Sequence, residues 1–238
     1  MYHHVKKLMF EVNVGEADPR FGKMLLEQFG GENGELAAAM QYSVQGMNCE
    51  DPARRDLLMD IGTEELSHLE VIGALARMHL KPLRESDEAA MADPLIALVG
   101  GGGVGLHNSQ GAAWTADYVS VSGQLEVDLR NNMAAEAGAK IVYERLLKYT
   151  DDAGSRDALK FLMAREIAHL KAFGRALESM DKGPLEIGDL PADEEYVTPY
   201  YNDSTGDGDA GQDSEGPWNT ADDVEVVENP AFSGMAVS

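Results

Sequence analysis

The chain of 238 residues contains a single cysteine, Cys49, and no long apolar run. One cysteine excludes an intramolecular disulfide, and no stretch approaches the roughly 18 consecutive apolar residues that a membrane span requires. The first residues, MYHHVKKLMF, also lack the apolar segment that a signal peptide needs. We therefore expect a cytoplasmic protein with no membrane partner.

Basic residues are scarce: 19 Lys and Arg stand against 42 Asp and Glu, for a net charge of −23. Such a charge repels phosphate backbones, so we expect no nucleic-acid partner. Residues 183–238 contain fourteen acids and no Lys or Arg. They cannot form much of a core, and they are either disordered or an arm that wraps a neighbouring subunit or binds a cation. Aromatic residues such as Trp218 and Phe232 favour an arm over disorder, because disordered segments are usually poorer in aromatic residues.

Four segments of residues 1–182 have apolar residues at helical spacing. Asp18-Pro19 and Asp51-Pro52 each combine a capping residue with a proline in the first turn. The predicted helices cover residues 19–47, 51–80, 125–149 and 155–180. Gly30, Gly31 and Gly34 lie inside the first, which predicts either a kink or the close approach of another backbone.

The second and third predicted helices are joined by a long connection, residues 82–120, which is rich in turn formers and shows no helical period. Four long helices with one long crossover describe an all-α, ferritin-like four-helix bundle. We therefore predict a bundle over residues 1–182 and an arm over residues 183–238.

Two short motifs, TEELSH (63–68) and AREIAH (164–169), each place a glutamate three residues before a histidine. They are 101 residues apart, and the same offset superimposes Leu58, Leu69 and Gly73 on Leu159, Leu170 and Gly174. It also takes Glu35 to Glu136. The sequence therefore contains two units of the form Glu, thirty residues, Glu-x-x-His.

Residues i and i+3 project to the same side of a helix, so Glu65 and His68 can reach one metal ion. Glu64 also lies one turn before His68 and could replace Glu65, but its counterpart in the second unit is Arg165, so we prefer Glu65. One Glu from each of two helices and a Glu-x-x-His from each of the other two form the dinuclear site of ferritin-like carboxylate proteins. Carboxylate and imidazole ligands suit Mn²⁺ or Fe²⁺.

The chain resembles the dinuclear manganese catalases. The resemblance covers most of its length and rests on the segments KKL (6–8), GGENGELAAAMQYSVQG (30–46), DLLMDIGTEELSHLEVI (56–72), GAAWTADYVSVSG (111–123), LRNNMAAE (129–136) and LKFLMAREIAHLKAF (159–173). It implies that the protein converts two molecules of hydrogen peroxide into water and dioxygen at a pair of Mn ions.

The resemblance also implies the roles of individual residues. Glu35, Glu65 and His68 correspond to ligands of one Mn, with Glu65 bridging to a second Mn that Glu136 and His169 complete. Glu166 corresponds to a proton shuttle. Some family members carry an arginine at the position of Ala135, so the region over the site is expected to be more open or less positive here; Lys140 could replace that charge.

A calcium site and an assembly are implied in the same way. Some family members bind Ca²⁺ between two aspartates and a tail segment, to which Asp56, Asp60, Asn202, Ser204 and Gly206 correspond. Oxygen ligands of this kind suit Ca²⁺. Family members are typically hexamers, which implies a homo-oligomer whose C-terminal arm wraps a neighbour.

Two other functions remain open from the residues alone. A di-iron ferroxidase or oxygenase uses the same bundle and ligand types, and Mn and Fe accept the same side chains. A structural assembly protein, like the spore-coat proteins that share this architecture, is the second. A rubrerythrin is disfavoured because the chain lacks the four cysteines of its electron-transfer domain.

Overall fold

The protein is represented by a computed structural model that describes residues 4–81, 88–98, 102–183 and 186–188. The helices in these ranges are α1 (Pro19–Gly30), α2 (Glu35–Asn48), α3 (Pro52–Leu80), α4 (Glu88–Ala92), α5 (Pro94–Leu98), α6 (Leu125–Leu146) and α7 (Ala153–Glu178). The described residues form no β-strand, only an isolated bridge between His107 and Ala113. Within the same ranges, no helix combines the length and apolarity that a bilayer crossing demands.

The first predicted helix, residues 19–47, is two helices in the structure, so the prediction of one continuous helix was wrong. α1 ends at Gly30 and α2 begins at Glu35. A Cβ on Gly30 would lie 2.5 Å from the carbonyl oxygen of His107, because the backbone of the crossover passes against this position. The glycines therefore interrupt the helix and also admit another backbone. The ends of α3, α6 and α7 differ from the predicted ones by at most three residues.

The crossover contains more regular structure than its sequence indicated. It includes α4, α5 and a short 3₁₀ turn at Ala116–Tyr118. Helices of five residues are too short to show a helical period, which explains why none was predicted. Asp93, between α4 and α5, accepts the Leu95 amide hydrogen and pairs with Lys23 of α1 at 2.5 Å. The crossover is thereby attached to the bundle.

The two helices that contain the motifs, α3 and α7, begin with the same type of N-terminal cap. Asp51 accepts the Arg54 amide hydrogen at the start of α3, and Asp152 accepts the Ser155 amide hydrogen at the start of α7. A capping carboxylate satisfies an amide that has no partner inside the helix. The two caps are 101 residues apart, so each Glu-x-x-His motif lies at the same distance from the start of its helix.

The buried apolar residues form two clusters. The first contains residues of α1, α3, α6 and α7, among them Leu25, Ile72, Leu75, Tyr143, Leu159 and Leu162. The second contains Tyr42, Cys49, Leu58, Ile61, Leu129, Phe173 and Ala176. Along α3 the chain passes from the second cluster to the first, and along α7 from the first to the second. The two helices therefore run in opposite directions, with their Glu-x-x-His motifs between the clusters.

The chain divides into two compact units, Met1–Asp181 and Lys182–Ser238. The first contains the seven helices. In the second, the structure describes residues 182–183 and 186–188 only, so Asn202, Ser204 and Gly206 of the predicted calcium site lie outside the described residues.

Candidate metal centre

The six residues of the predicted dinuclear site come together in the interior of the bundle. Each is at most 2 % exposed: Glu35 on α2, Glu65 and His68 on α3, Glu136 on α6, and Glu166 and His169 on α7. Ligand atoms of Glu65, His68, Glu166 and His169 all lie within 4.8 Å of one another. The helix spacing therefore produces the cluster that the sequence predicted.

Glu65 lies between the two histidines. Its Oε2 is 2.7 Å from Nδ1 of His68, and its Oε1 is 2.8 Å from Nδ1 of His169. The rings of the two histidines stack, with centroids 5.5 Å apart and an angle of 19° between their planes. One carboxylate thus faces the same nitrogen of both rings, which is the arrangement that a bridging ligand requires.

The remaining carboxylates surround the same two nitrogens. Glu35 Oε2 is 3.5 Å and Glu166 Oε1 is 3.6 Å from Nδ1 of His68. Glu136 Oε1 is 3.7 Å from Nδ1 of His169. Both Nδ1 atoms therefore point toward the carboxylates, into the centre of the site.

Several of these buried atoms have no hydrogen bond of normal geometry within the described part of the chain. Although Glu65 Oε1 lies close to His169 Nδ1, neither atom forms such a bond. The same holds for Glu35 Oε2, Glu136 Oε2, Glu166 Oε1 and the Nε2 atoms of His68 and His169. Leaving buried polar and charged atoms unpaired is costly, and cations offset that cost. The residues present therefore fit a dinuclear metal site.

The carboxyl groups differ in their tendency to ionise. Burial raises the pKa of Glu35 to about 7 and that of Glu136 to about 8. Burial and the neighbouring charges of Glu35, Glu65 and Glu136 raise the pKa of Glu166 well above its ordinary value. Glu65 is the exception: burial opposes ionisation, but its contacts with His169 and His68 lower its pKa to about 2.

The histidines respond in the complementary direction. Burial lowers the pKa of His68, but contacts with Glu35, Glu64 and Glu65 outweigh it and raise the value to about 12. For His169, contacts with Glu64 and Glu65 overcome burial in the same way and raise the pKa to about 9. The raised pKa values mean that protons bound by these carboxyl groups and histidines partly offset the negative charge of the cluster.

Two tyrosines of the site were not identified from the sequence. Tyr42 donates a hydrogen bond to Glu136 Oε1 at 2.7 Å, and the hydroxyl of Tyr143 donates to Glu35. Both tyrosines are fully buried. Their positions differ by 101 residues, so the offset that relates the two motifs would have found them. Each tyrosine orients the single glutamate contributed by the other half of the bundle.

A cavity of about 230 Å³ reaches the site, with Glu35 and Glu166 in its lining. Small side chains of α6, including Ala134, Ala135 and Ala139, form part of its wall. Ala135 thus lines a cavity beside the site, in agreement with the expected open region there. Lys140 does not supply the missing charge, because its ammonium group pairs with Glu144.

The aspartates of the predicted calcium site lie elsewhere. Asp56 and Asp60 are exposed on α3, one turn apart. Among the described residues, these two aspartates belong to no cluster of three or more His, Cys, Asp or Glu side chains that could hold a metal ion. The calcium site therefore remains a prediction.

Comparison with known proteins agrees with this geometry. The family model for manganese containing catalase matches residues 1–237. The chain belongs to the manganese catalase family. It is 36 % identical over 224 residues to the manganese catalase of Lactiplantibacillus plantarum, covering 87 % of this chain and 84 % of that protein. It is also 36 % identical over 207 residues to the manganese catalase of Bacillus subtilis, covering 80 % and 76 % of the two chains.

A solved structure supports both fold and family. The crystal structure of KatB, a manganese catalase from Anabaena PCC7120, superimposes with a TM-score of 0.82 at 42 % identity and covers 97 % of this chain and 100 % of that chain. The ferritin-like, all-α architecture predicted from the sequence is thereby confirmed. The protein is a manganese catalase, an enzyme that degrades hydrogen peroxide, and this function is supported over the ferroxidase, oxygenase and structural alternatives.

Proposed function

We propose that the subunit carries out hydrogen peroxide disproportionation with two Mn ions held by its own buried side chains. Glu35 and His68 would hold one ion, Glu136 and His169 would hold the other, and Glu65 would contribute to both. The observation that carries this assignment is the position of Glu65, whose two oxygens contact Nδ1 of different histidines at 2.7 and 2.8 Å. Oxygen and imidazole ligands of this kind suit Mn²⁺.

When bound, the Mn pair would give two electrons to the peroxide that is reduced to water and take two from the peroxide that is oxidised to dioxygen. The protein must manage the protons: cleavage of one peroxide to two waters consumes two protons, and oxidation of another to dioxygen releases two. Glu166 is the residue we assign to this task. It lines the cavity that reaches the site, and its raised pKa allows its carboxyl group to hold a proton near neutral pH.

The two glutamates of the repeated motif therefore have different roles. Glu65 has a lowered pKa and faces both histidines, whereas Glu166 has a raised pKa and lines the cavity. Carboxyl groups whose environments move their pKa values apart serve as distinct partners in acid–base chemistry. The same motif thus provides a ligand in one half of the bundle and a proton carrier in the other.

Replacing Glu166 with Gln tests this division. We expect Glu166→Gln to retain about two Mn per chain and to lose oxygen evolution by about 10²- to 10⁴-fold, the usual contribution of a general acid–base residue. Glu178→Gln, an exposed glutamate at the end of the same helix, is the matched control and should retain both properties. Loss of one Mn from Glu166→Gln would instead show that this residue is a ligand.

The identity of the metal is tested separately. Elemental analysis of the protein as isolated should find Mn at about two per chain, and peroxide should be converted to dioxygen by that material. Iron in the site, with an inert Mn form, would contradict the Mn assignment and favour the di-iron alternative.

Three further proposals concern the surroundings of the subunit. Ca²⁺ binding by Asp56, Asp60 and the tail residues Asn202, Ser204 and Gly206 is supported by the oxygen chemistry of the set and tested by calcium content after Asp60→Ala. Assembly into a hexamer is tested by analytical ultracentrifugation with and without a calcium chelator. A cytoplasmic location is tested by cell fractionation.

A further inference from the structure

The outer edges of the two site histidines meet a single carboxylate. Nε2 of His68 lies 3.3 Å from Glu64 Oε1, and Nε2 of His169 lies 3.3 Å from Glu64 Oε2. Both Nε2 atoms are buried, and within the described residues neither forms a hydrogen bond of normal geometry. The opposite ring nitrogens, the Nδ1 atoms, face the cluster of carboxylates that includes Glu65. Each ring therefore has an inner nitrogen at the site and an unpaired outer nitrogen beside an oxygen of Glu64.

Glu64 is itself held in place from α7. Arg165 donates from Nε to Glu64 Oε1 at 2.6 Å and from Nη2 to Oε2 at 3.3 Å. Two parallel contacts between a guanidinium and a carboxylate fix the orientation of both groups. The Glu64 side chain is only 20 % exposed, so its oxygens are directed inward at the histidines rather than into solvent.

The carboxylate of Glu64 has one oxygen beside each ring. Its Oε1 lies near His68 and its Oε2 near His169, and Arg165 donates to both oxygens. An ionised carboxylate can accept a proton-bearing nitrogen on each of its two oxygens. An amide in its place offers only one acceptor atom.

The internal repeat explains why one carboxylate serves two rings. Glu64 and Arg165 occupy equivalent positions, 101 residues apart, each directly before the glutamate of its motif. A glutamate at both positions would place two like charges within a few ångströms of each other. The Glu and Arg combination instead provides a single acceptor for both histidines and a cation that holds it.

We propose that Glu64 is a positioning residue: when Nδ1 of His68 and of His169 binds Mn, Glu64 would accept the Nε2–H of both rings, and Arg165 holds Glu64 in place for this. The inference rests on the assignment of these histidines as Mn ligands. Partners of this type fix the tautomer and the orientation of a metal-binding imidazole, and their loss typically reduces metal affinity by about 10- to 100-fold.

The test compares Mn binding by wild-type protein and Glu64→Gln. In titrations of metal-free protein with Mn²⁺, we expect affinity to fall by about 10- to 100-fold in Glu64→Gln, with two Mn still bound at saturation. The electron paramagnetic resonance spectrum of the di-Mn(II) protein should also change, because the ligand rings are no longer fixed. Loss of a surface ion pair alone would leave that spectrum unaltered.

The matched control is Glu70→Gln. Glu70 lies on the same helix and contacts a histidine at 2.8 Å, but that histidine is His4, and the side chains of the pair are 70 % and 44 % exposed. Affinity and spectrum should equal those of the wild type. Circular dichroism of each metal-free variant reports whether the bundle has folded.

An exchange of the pair provides a second test. Because residues 64 and 165 are equivalent, the double variant Glu64→Arg with Arg165→Glu places the carboxylate on α7, facing the same rings. We expect it to bind Mn more tightly than either single variant and to recover the wild-type spectrum. This comparison stays informative even where a single variant folds poorly.

The outcomes separate this inference from the proposed function. A wild-type protein that binds no Mn pair would overturn the ligand assignment itself. Normal Mn binding with an unchanged affinity and spectrum in Glu64→Gln would overturn the positioning role alone. Binding of only one Mn at saturation by Glu64→Gln would also overturn it, since Glu64 would then be a ligand.

Discussion

Glu65 and Glu166 occupy equivalent positions in the two halves of the bundle, and their surroundings shift their pKa values in opposite directions. Both belong to a Glu-x-x-His motif, and both are at most 1 % exposed. Burial acts against ionisation of both, but contacts with His169 and His68 lower the pKa of Glu65 to about 2, whereas burial and neighbouring carboxylates raise that of Glu166. The motif alone therefore does not determine the role of each glutamate, because partners from other helices also decide it.

The packing on either side of the site follows the same repeat. Leu58 and Ile61 belong to the second apolar cluster, and their counterparts Leu159 and Leu162 belong to the first. The offset of 101 residues therefore exchanges the two clusters, as a twofold relation between the halves requires. The candidate metal centre lies between the two halves, so a sequence difference between them changes the surroundings of its side chains.

The largest expected effect comes from Glu65→Gln, which should remove the difference in charge between the glutamates of the two motifs. It removes the charge that faces both histidines, so we expect Mn binding to weaken by at least about 100-fold and activity to be lost with the metal. Metal content and oxygen evolution measure the two effects. If Glu65→Gln kept both Mn while Glu166→Gln lost them, the assigned roles would be reversed.

The stability of the metal-free protein should depend on pH. Glu35 and Glu136 have folded-state pKa values of about 7 and 8 against an ordinary value of 4.5, and the pKa values of His68 and His169 are also raised. The folded state therefore holds more protons than the unfolded state from about pH 5 upward, so its stability falls as pH rises toward 9.

The expected observation is a higher melting temperature for metal-free protein at pH 6 than at pH 9. Mn²⁺ replaces the same protons, so the stabilisation that it provides should increase with pH over this range. Thermal unfolding with and without Mn²⁺ measures both trends. A metal-free protein that became more stable between pH 6 and pH 9 would contradict the raised pKa values of these glutamates and histidines.

Tyr42 and Tyr143 make equivalent contacts in the two halves, so their variants test whether the halves are also alike in stability. Tyr42→Phe and Tyr143→Phe each remove a hydroxyl that donates to a buried glutamate of the other half. We expect each to lower the free energy of unfolding of the metal-free protein by about 1–3 kcal/mol, the cost of leaving a buried acceptor unpaired.

Denaturant unfolding measures this cost. Tyr149→Phe is the control, because Tyr149 is 65 % exposed and should change stability by less than about 0.5 kcal/mol. A large effect from one buried tyrosine and none from the other would show that the two glutamates are held differently.

The smallest expected effect concerns the helix caps. Asp51→Ala and Asp152→Ala should each cost about 0.5–2 kcal/mol of unfolding free energy. Asp152→Ala should cost more, because Asp152 accepts two further hydrogen bonds, from the Gly15 amide and the Ser155 hydroxyl, whereas Asp51 accepts one, from the partly exposed Arg54 guanidinium. Asp157→Ala, on the exposed face of α7, is the control for thermal unfolding. Equal costs would mean that the additional contacts of Asp152 add nothing.

The sequence predicted the long helices because their apolar spacing and caps are local signals. It did not predict the short helices α4 and α5, which are formed where the crossover packs on the bundle. It also gave one helix where the structure has α1 and α2, since the contact between Gly30 and His107 joins positions far apart in the chain. The position of Tyr143 over Glu35 was missed for a similar reason, although the repeat offset contained the information.

By itself, the sequence determined which side chains could form a metal site, because residues three apart on a helix share a face and the offset of 101 relates two such pairs. Only the tertiary structure decided which glutamate lies between the histidines, which one lines the cavity, and which one faces the outer ring nitrogens. Ionisation and hydrogen bonding depend on neighbours a few ångströms away in space, and in this bundle many of those neighbours, such as His169 beside Glu65 and Arg165 beside Glu64, come from another helix.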